Sequence, residues 1–242
     1  MINIMRRGIL FFVFTAVSLP TLADNSNPER VDYKLTGSYY DTNTDQAGDI
    51  NLRANTGNHT GWLGQYQNNS GFRQTRAGYE YKEDEDLLRI TWSAQVASRG
   101  FVGGSATAEV GSDTFAILGI GRTNLHDYYN LNFDPNDSIV YGIGTRLLPR
   151  TNVSLFTVRD NRLHTGQVVT HLLWLVTPDA QQRWTVDLST KHGRPNADEE
   201  SVSGSALSLT YDFKDVFVRL ARDRKVNFTA DDQTRFSLGF RF

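Results

Sequence analysis

From Val31 onward, apolar and polar residues alternate one for one in blocks of about nine to twelve residues, and almost nothing reads as a helix. A period of two describes an extended strand with two unlike faces. Leu88, Ile90, Trp92, Ala94 and Val96 form one row against Arg89, Thr91, Ser93 and Gln95. Trp184, Val186 and Leu188 stand against Arg183, Thr185, Asp187 and Ser189. Leu207, Leu209, Tyr211 and Phe213 stand against Ala206, Ser208, Thr210 and Asp212. In a water-soluble sandwich the apolar row is buried and the polar row is wet. In a membrane barrel the same pattern is turned inside out, with lipid outside and a polar lumen.

The pattern predicts fourteen strands, near 31–41, 48–56, 59–68, 72–82, 87–97, 101–110, 113–123, 137–148, 151–160, 166–177, 183–192, 203–213, 216–224 and 233–242. Fusing the weakest hairpin gives twelve. Their lengths suit a tilted strand crossing a bilayer. Every second connection is short, as at 56–58, 82–86, 110–113, 148–151, 178–182 and 212–215. The alternate ones are mostly longer, at 41–48, 123–137, 159–166, 191–204 and 223–233, although 67–72 and 98–101 are short. Short turns on one side and long loops on the other, with an even strand count, is how up-and-down outer-membrane barrels are built. Strand 166–177 is apolar on both rows, strand 113–123 fits either orientation, and Arg222 falls on the lipid-facing row near its outer end, where lipid phosphates would pair with it.

The first residues read as a secretory leader. Arg6 and Arg7 precede an apolar run from Ile9 to Leu19, and Thr21-Leu22-Ala23 places small residues where a signal peptidase cuts. The run is shorter than the ~20 residues of a spanning helix. Residues 1–23 are thus expected to be a signal peptide, with residues 24–242 forming one barrel domain. Removing Arg6 and Arg7 from the 25 basic residues leaves a chain of net charge −4 against 27 acidic ones, which gives no reason to expect a nucleic-acid partner. There is no cysteine, so no disulfide holds an exported chain together. The mean hydropathy of −0.43 would suit a soluble protein, but in a membrane barrel only alternate residues meet lipid.

The sequence closes on Thr-Arg-Phe-Ser-Leu-Gly-Phe-Arg-Phe, with Phe236, Leu238, Phe240 and Phe242 alternating with Arg235, Ser237, Gly239 and Arg241. A strand at this place needs a neighbour, and pairing with the first strand would leave no free edge in lipid. Aromatic residues gather at the short-turn ends: Tyr33, Tyr79, Tyr81, Trp184, Tyr211, Phe213, Phe240 and Phe242. Rings favour the membrane interface, although strands favour aromatics in any setting. The closing segment resembles the C-terminal signature of bacterial outer-membrane β-barrel proteins, in which alternate apolar residues lead to a terminal Phe. That resemblance holds at the level of the class and implies location in the outer membrane. It also implies that the barrel-assembly machinery reads Phe236, Leu238, Phe240 and Phe242, and that outer-membrane lipid and lipopolysaccharide surround the wall.

Projecting the rows inward gives the candidate pore lining. The cations are Lys34, Arg53, Arg76, Arg89, Arg146, Arg183, Lys191, Arg219, Arg235 and Arg241; the acids are Asp32, Glu80, Glu109, Asp187, Asp212 and Asp223. An interior richer in cations, inside a chain that is acidic overall, suggests a narrow pore for small anionic or polar solutes, because Arg and Lys lower the entry barrier for anions. In physical logic it would resemble monomeric porins for acidic sugars. The plainer reading is a structural or assembly barrel whose lumen is filled by Arg–carboxylate networks. A lipid-acting enzyme is a third reading. None of His59, His126, His164, His171 and His192 is followed two residues later by Ser, the spacing that would put both on one face. His171 alone lies inside a strong strand, with Ser154 and Ser189 on flanking strands. No cofactor is expected. Asp41, Asn43 and Asp45 have calcium-loop spacing, but Gln46 and Leu52 stand where Gly and Glu are needed. The 126–137 loop is the most aromatic; it suits an inward constriction, a contact outside, or a solvated turn at Asp134-Pro135.

Overall fold

The computed structural model describes residues 31–131 and 134–242, so the leader read at 1–23 lies outside the described residues. The alternating blocks form fourteen strands: β1 (Asp32–Thr42), β2 (Gln46–Thr56), β3 (His59–Asn68), β4 (Arg73–Asp84), β5 (Leu88–Ala97), β6 (Phe101–Val110), β7 (Thr114–Thr123), β8 (Ser138–Thr145), β9 (Thr151–Asp160), β10 (Val168–Asp179), β11 (Gln182–Gly193), β12 (Val202–Phe213), β13 (Val216–Asp223) and β14 (Gln233–Arg241). Each strand pairs with its chain neighbours, and β14 returns to β1 to close the barrel, which excludes the twelve-strand count. Among the described residues no helix is long and apolar enough to cross a membrane.

The β1–β14 seam is antiparallel and runs from Lys34 opposite Arg241 to Thr42 opposite Gln233. The backbones of Tyr33 and Phe242 exchange hydrogen bonds of 2.9 and 3.0 Å, and their rings stack with centroids 5.7 Å apart. The last residue is therefore fastened on both its backbone and its side chain. Closure matters because hydrocarbon offers no partner to an unpaired strand edge.

Burial follows the row assignment. Leu52, Leu63, Trp92, Leu118, Ile143, Leu155, Trp174, Leu188, Leu220 and Phe236 all lie exposed on the outer face, whereas Asp49, Arg76, Ser154, His171, Lys191, Asp212 and Asp223 are buried. A continuous exposed belt of large apolar residues around a charged interior is a surface made for lipid. Strand β10 is resolved in the same way: Leu172 and Trp174 are on the outside, while Val169, buried, and Leu173, half-buried, share the inner row with His171. In β7 the inner row is Phe115 and Ile117, both buried, and the outer row includes Leu118 and Ile120, both exposed.

Connections at one end are short throughout, and both ends of the described chain lie there. At the other end the long ones are 124–137, 161–167, 194–201 and 224–232. One expectation needs correction. The β1–β2 connection is only 43–45, because pairing continues to Asp41 opposite Gln46 and the Thr42 hydroxyl and amide hydrogen-bond across a tight turn at Asp45.

Candidate functional site

Alternation sends Lys34, Arg53, Arg183, Arg219 and Arg241 inward in the half of the bore nearest the short turns. Lys34 lies opposite Arg53 on one side and Arg241 on the other. Arg53 pairs with Glu80 at 3.2 Å, while Arg183, at 3.3 Å, and Arg241 share Asp212. Arg146 and Arg89 likewise share Glu109, with Arg89 also held by Asp84. Lys34 and Arg219 have no carboxylate at ion-pair distance among the described residues. Lys34 stands 3.8 Å over the Phe217 ring, and Arg219 donates to the Thr210 hydroxyl. Arg53 and Arg183 remain open to water, keeping 36% and 45% of their side-chain exposure.

Glycine makes room for the rings under those cations. Phe217 lies flat where a Cβ on Gly239 would stand, and Phe115 does the same at Gly144, with Arg146 3.8 Å above it. A ring pressed to the wall at a glycine takes little of the bore and gives the cation an aromatic face to rest on.

The half nearest the long loops is different. Arg76 pairs with Asp49 at 2.9 Å and Lys191 with Asp223 at 2.5 Å, and the side chains of Arg76 and Lys191 are only 8% and 1% exposed. Covering them are the described residues of the 124–137 connection, which fold into the bore. Tyr129 stacks on Tyr66 with centroids 5.0 Å apart, and Gln74 bonds both its backbone N–H and its C=O. Tyr128 stacks on Phe101 at 4.1 Å. Leu131 is buried with Tyr40, Ala47, Tyr66 and Val226, the last from a 3-10 turn at Val226–Phe228 that also points inward. Burial pushes the Tyr128 and Tyr129 hydroxyls above the usual phenol range. Asp134 takes a 3.0 Å hydrogen bond with His171 Nε2, while Asp187 faces His171 Nδ1 at 3.0 Å. A cavity of about 60 Å³ remains between the loop and the wall, lined among others by Asp134, His171, Asp187, Lys191, Asp223 and Arg235.

Of the cations projected inward, Lys34, Arg53, Arg76, Arg89, Arg183, Lys191, Arg219, Arg235 and Arg241 lie on inner strand rows and Arg146 just past the end of β8; Arg76 and Lys191 are buried in ion pairs, and the projected acid Asp187 serves His171. Sequence reasoning missed Asp49, which sits on the inner row of β2 four residues before Arg53; it falls inside the strand read at 48–56, and its phase with Arg53 was the signal that could have found it. It also missed Asp134 as an interior acid, because a loop has no period to say which way it faces. Both reduce the cationic surplus read from the strands alone.

Both ring nitrogens of His171 face carboxylates and its ring lies on Phe156, so neither Ser154 nor Ser189 is its hydrogen-bond partner. A cross-strand pair does exist elsewhere: His192 Nδ1 lies 3.0 Å from Ser203 Oγ, exposed on the outer wall. It was invisible to a search for His-x-Ser because the two residues are on β11 and β12. Asp41 and Asp45 are engaged in the turn, with Gln46 and Ser70 as partners. Phe236, Leu238 and Phe240 share the outer row of β14, Phe242 follows it in the same phase, and Trp184 and Tyr211 stack at 4.2 Å within the aromatic band.

A closed antiparallel barrel, apolar outside and charged inside, with a long loop folded into its bore, has the architecture of a bacterial outer-membrane porin. Two solved structures are similar to it. The Acinetobacter baumannii outer membrane protein Omp33 shares 10% identity over 87% of this chain and 98% of that one, with a TM-score of 0.56. The KdgM porin shares 8% identity over 86% of this chain and 99% of that one, with a TM-score of 0.50. At these identities the likeness is one of fold. No family model matches the sequence, and no curated protein matches it.

Proposed function

We propose that this chain is a passive pore of the bacterial outer membrane, with a mildly cationic bore that admits small anionic or polar solutes and is narrowed by the 124–137 loop. The observation that carries the reading is the uneven sharing of acids in the half nearest the short turns. Asp212 and Glu109 each serve two arginines, and Lys34 and Arg219 serve none. Cations left over after pairing set the sign of the potential that a solute meets. The outer row Phe236, Leu238, Phe240 and Phe242 fits the proposed role as the segment read during barrel assembly.

Conductance and reversal potential in planar bilayers under a salt gradient test the reading. The wild-type barrel is expected to prefer chloride over potassium. Lys34→Glu together with Arg219→Glu is expected to abolish or invert that preference. Refolded protein that never conducts would overturn the pore. It would instead favour a plugged structural barrel, the reading supported by the aromatic packing of Tyr129 and Leu131 across the bore.

A further inference from the structure

The strand register places an ordered gradient on the outer wall over β9–β13. One rung carries Leu155, Leu172, Leu188 and Leu207 side by side and ends on Arg222. All four leucines are exposed. One rung nearer the long loops stand Thr157, Thr170, Thr190 and Ser205, and the backbone N–H of Arg224 bonds Ser205. The third rung opposes Arg159 to Val168 and Val168 to His192. Between these rungs lies an open groove of about 590 Å³, lined by leucines of the first rung, hydroxyls of the second, and both Arg222 and Arg224.

We propose that this groove binds a phosphorylated glycolipid of the outer leaflet. The order of chemistry along the wall matches that molecule: acyl chains against leucine, sugar hydroxyls against Thr and Ser, phosphate against arginine. Arg is costly on a lipid-facing row and is tolerated toward the interface, where an anion can meet it. Bidentate pairing with phosphate is what a guanidinium does best. Arg222 is held at the edge of the groove, with Nη1 2.8 Å from the Thr234 hydroxyl and Nη2 3.2 Å from Asp232, and a phosphate would share it with that carboxylate. Arg159 and Arg224 have no ion pair among the described residues. The nearby acids, Asp232 and those of the 198–200 segment, lie in the loops above rather than on the three rungs. The alternative explanation for Arg222, a private pair with Asp232, leaves Arg224 and Arg159 unexplained, along with the Thr190 and Ser205 hydroxyls; Thr157 and Thr170 hydrogen-bond each other at 3.0 Å.

The proposal rests on placement in the outer membrane and is independent of whether the bore conducts. Barrel in detergent is titrated with bis-phosphorylated hexa-acyl lipid A, with its dephosphorylated form, and with phosphatidylglycerol, and bound lipid is counted by native mass spectrometry. The bis-phosphorylated lipid is expected to bind best. The Arg222→Ser, Arg224→Ser double variant is expected to lose at least about tenfold in affinity, the scale of one or two charge-assisted hydrogen bonds, while Arg73→Ser changes nothing. Folding of each variant is checked by its heat-modifiable gel shift, and conductance of the double variant is expected to be unchanged. Equal binding of the dephosphorylated lipid, equal binding of phosphatidylglycerol, or full affinity in the folded double variant would each overturn the site. A silent bilayer with intact lipid binding would count against the pore alone.

Discussion

The two halves of the bore use the same residue types to opposite ends. In the half under the long loops, Arg76–Asp49 and Lys191–Asp223 are dry, matched one to one and roofed by aromatic rings. In the half above the short turns, Arg53, Arg183 and Arg241 are wet, acids are shared, and Lys34 rests on a ring instead of a carboxylate. Where water is excluded, an unmatched charge is too costly and pairing must be complete. Where water enters, a surplus is tolerated and its field remains available to a solute. In the proposed pore, constriction and charge selection would thus fall to different stretches of the bore.

The largest change should come from removing what separates the halves. Residues 125–136 can be replaced by a short Gly-Ser turn, because the ends of the loop already meet. The Thr123 hydroxyl donates to Asp137, whose other carboxylate oxygen takes the Thr123 backbone N–H at 3.2 Å. The β7–β8 register, Gly121 opposite Ser138, does not depend on the excised residues. Single-channel conductance is expected to rise several-fold while the anion preference persists, since Lys34 and Arg219 are untouched. Unchanged conductance would mean that the loop is not the constriction and that the two halves are not functionally distinct.

A second comparison pits one dry pair against one wet pair. Asp49→Asn strands the Arg76 guanidinium in a place with 8% side-chain exposure, and the expected loss is about 3–5 kcal/mol. Arg53→Met breaks a water-exposed pair and should cost less than about 1 kcal/mol. Guanidinium unfolding of both variants in lipid vesicles reads the difference. Equal costs would show that the outer half is wetter than its burial implies.

The architecture was legible because a membrane wall obeys one rule along every strand. Leu88 to Val96 and Leu207 to Phe213 reveal their faces without reference to any neighbour. The lumen was only partly legible. Its cations could be projected from the rows, but which acid each meets is a matter of register between strands, as when Asp212 on β12 serves Arg183 on β11 and Arg241 on β14. The inward fold of the 124–137 loop was open in the sequence for the same reason. Its docking surface is assembled from Tyr40, Tyr66 and Gln74 on three strands, and no local pattern encodes that meeting. The sequence offered Ser154 and Ser189 as neighbours of His171; that it instead joins the wall to the loop depends on Asp134, 37 positions away.

The smallest effect tests how the wet half stays open. At Gly239 a methyl group would occupy the place of the Phe217 ring, so Gly239→Ala must swing that ring off the wall and into the bore. Lys34, seated 3.8 Å above the ring, moves with it. Overpacking of this kind costs about 1–3 kcal/mol, at the lower end here because the ring has water to swing into. Gly37, on the outer row of the adjoining strand, is the control: a Cβ there meets nothing within 4 Å. Gly239→Ala is therefore expected to lower conductance modestly, whereas Gly37→Ala leaves it unchanged. If both variants conduct like the wild type, the ring at Phe217 is not what keeps the cationic half clear, and the width of that half must be set by the strands alone.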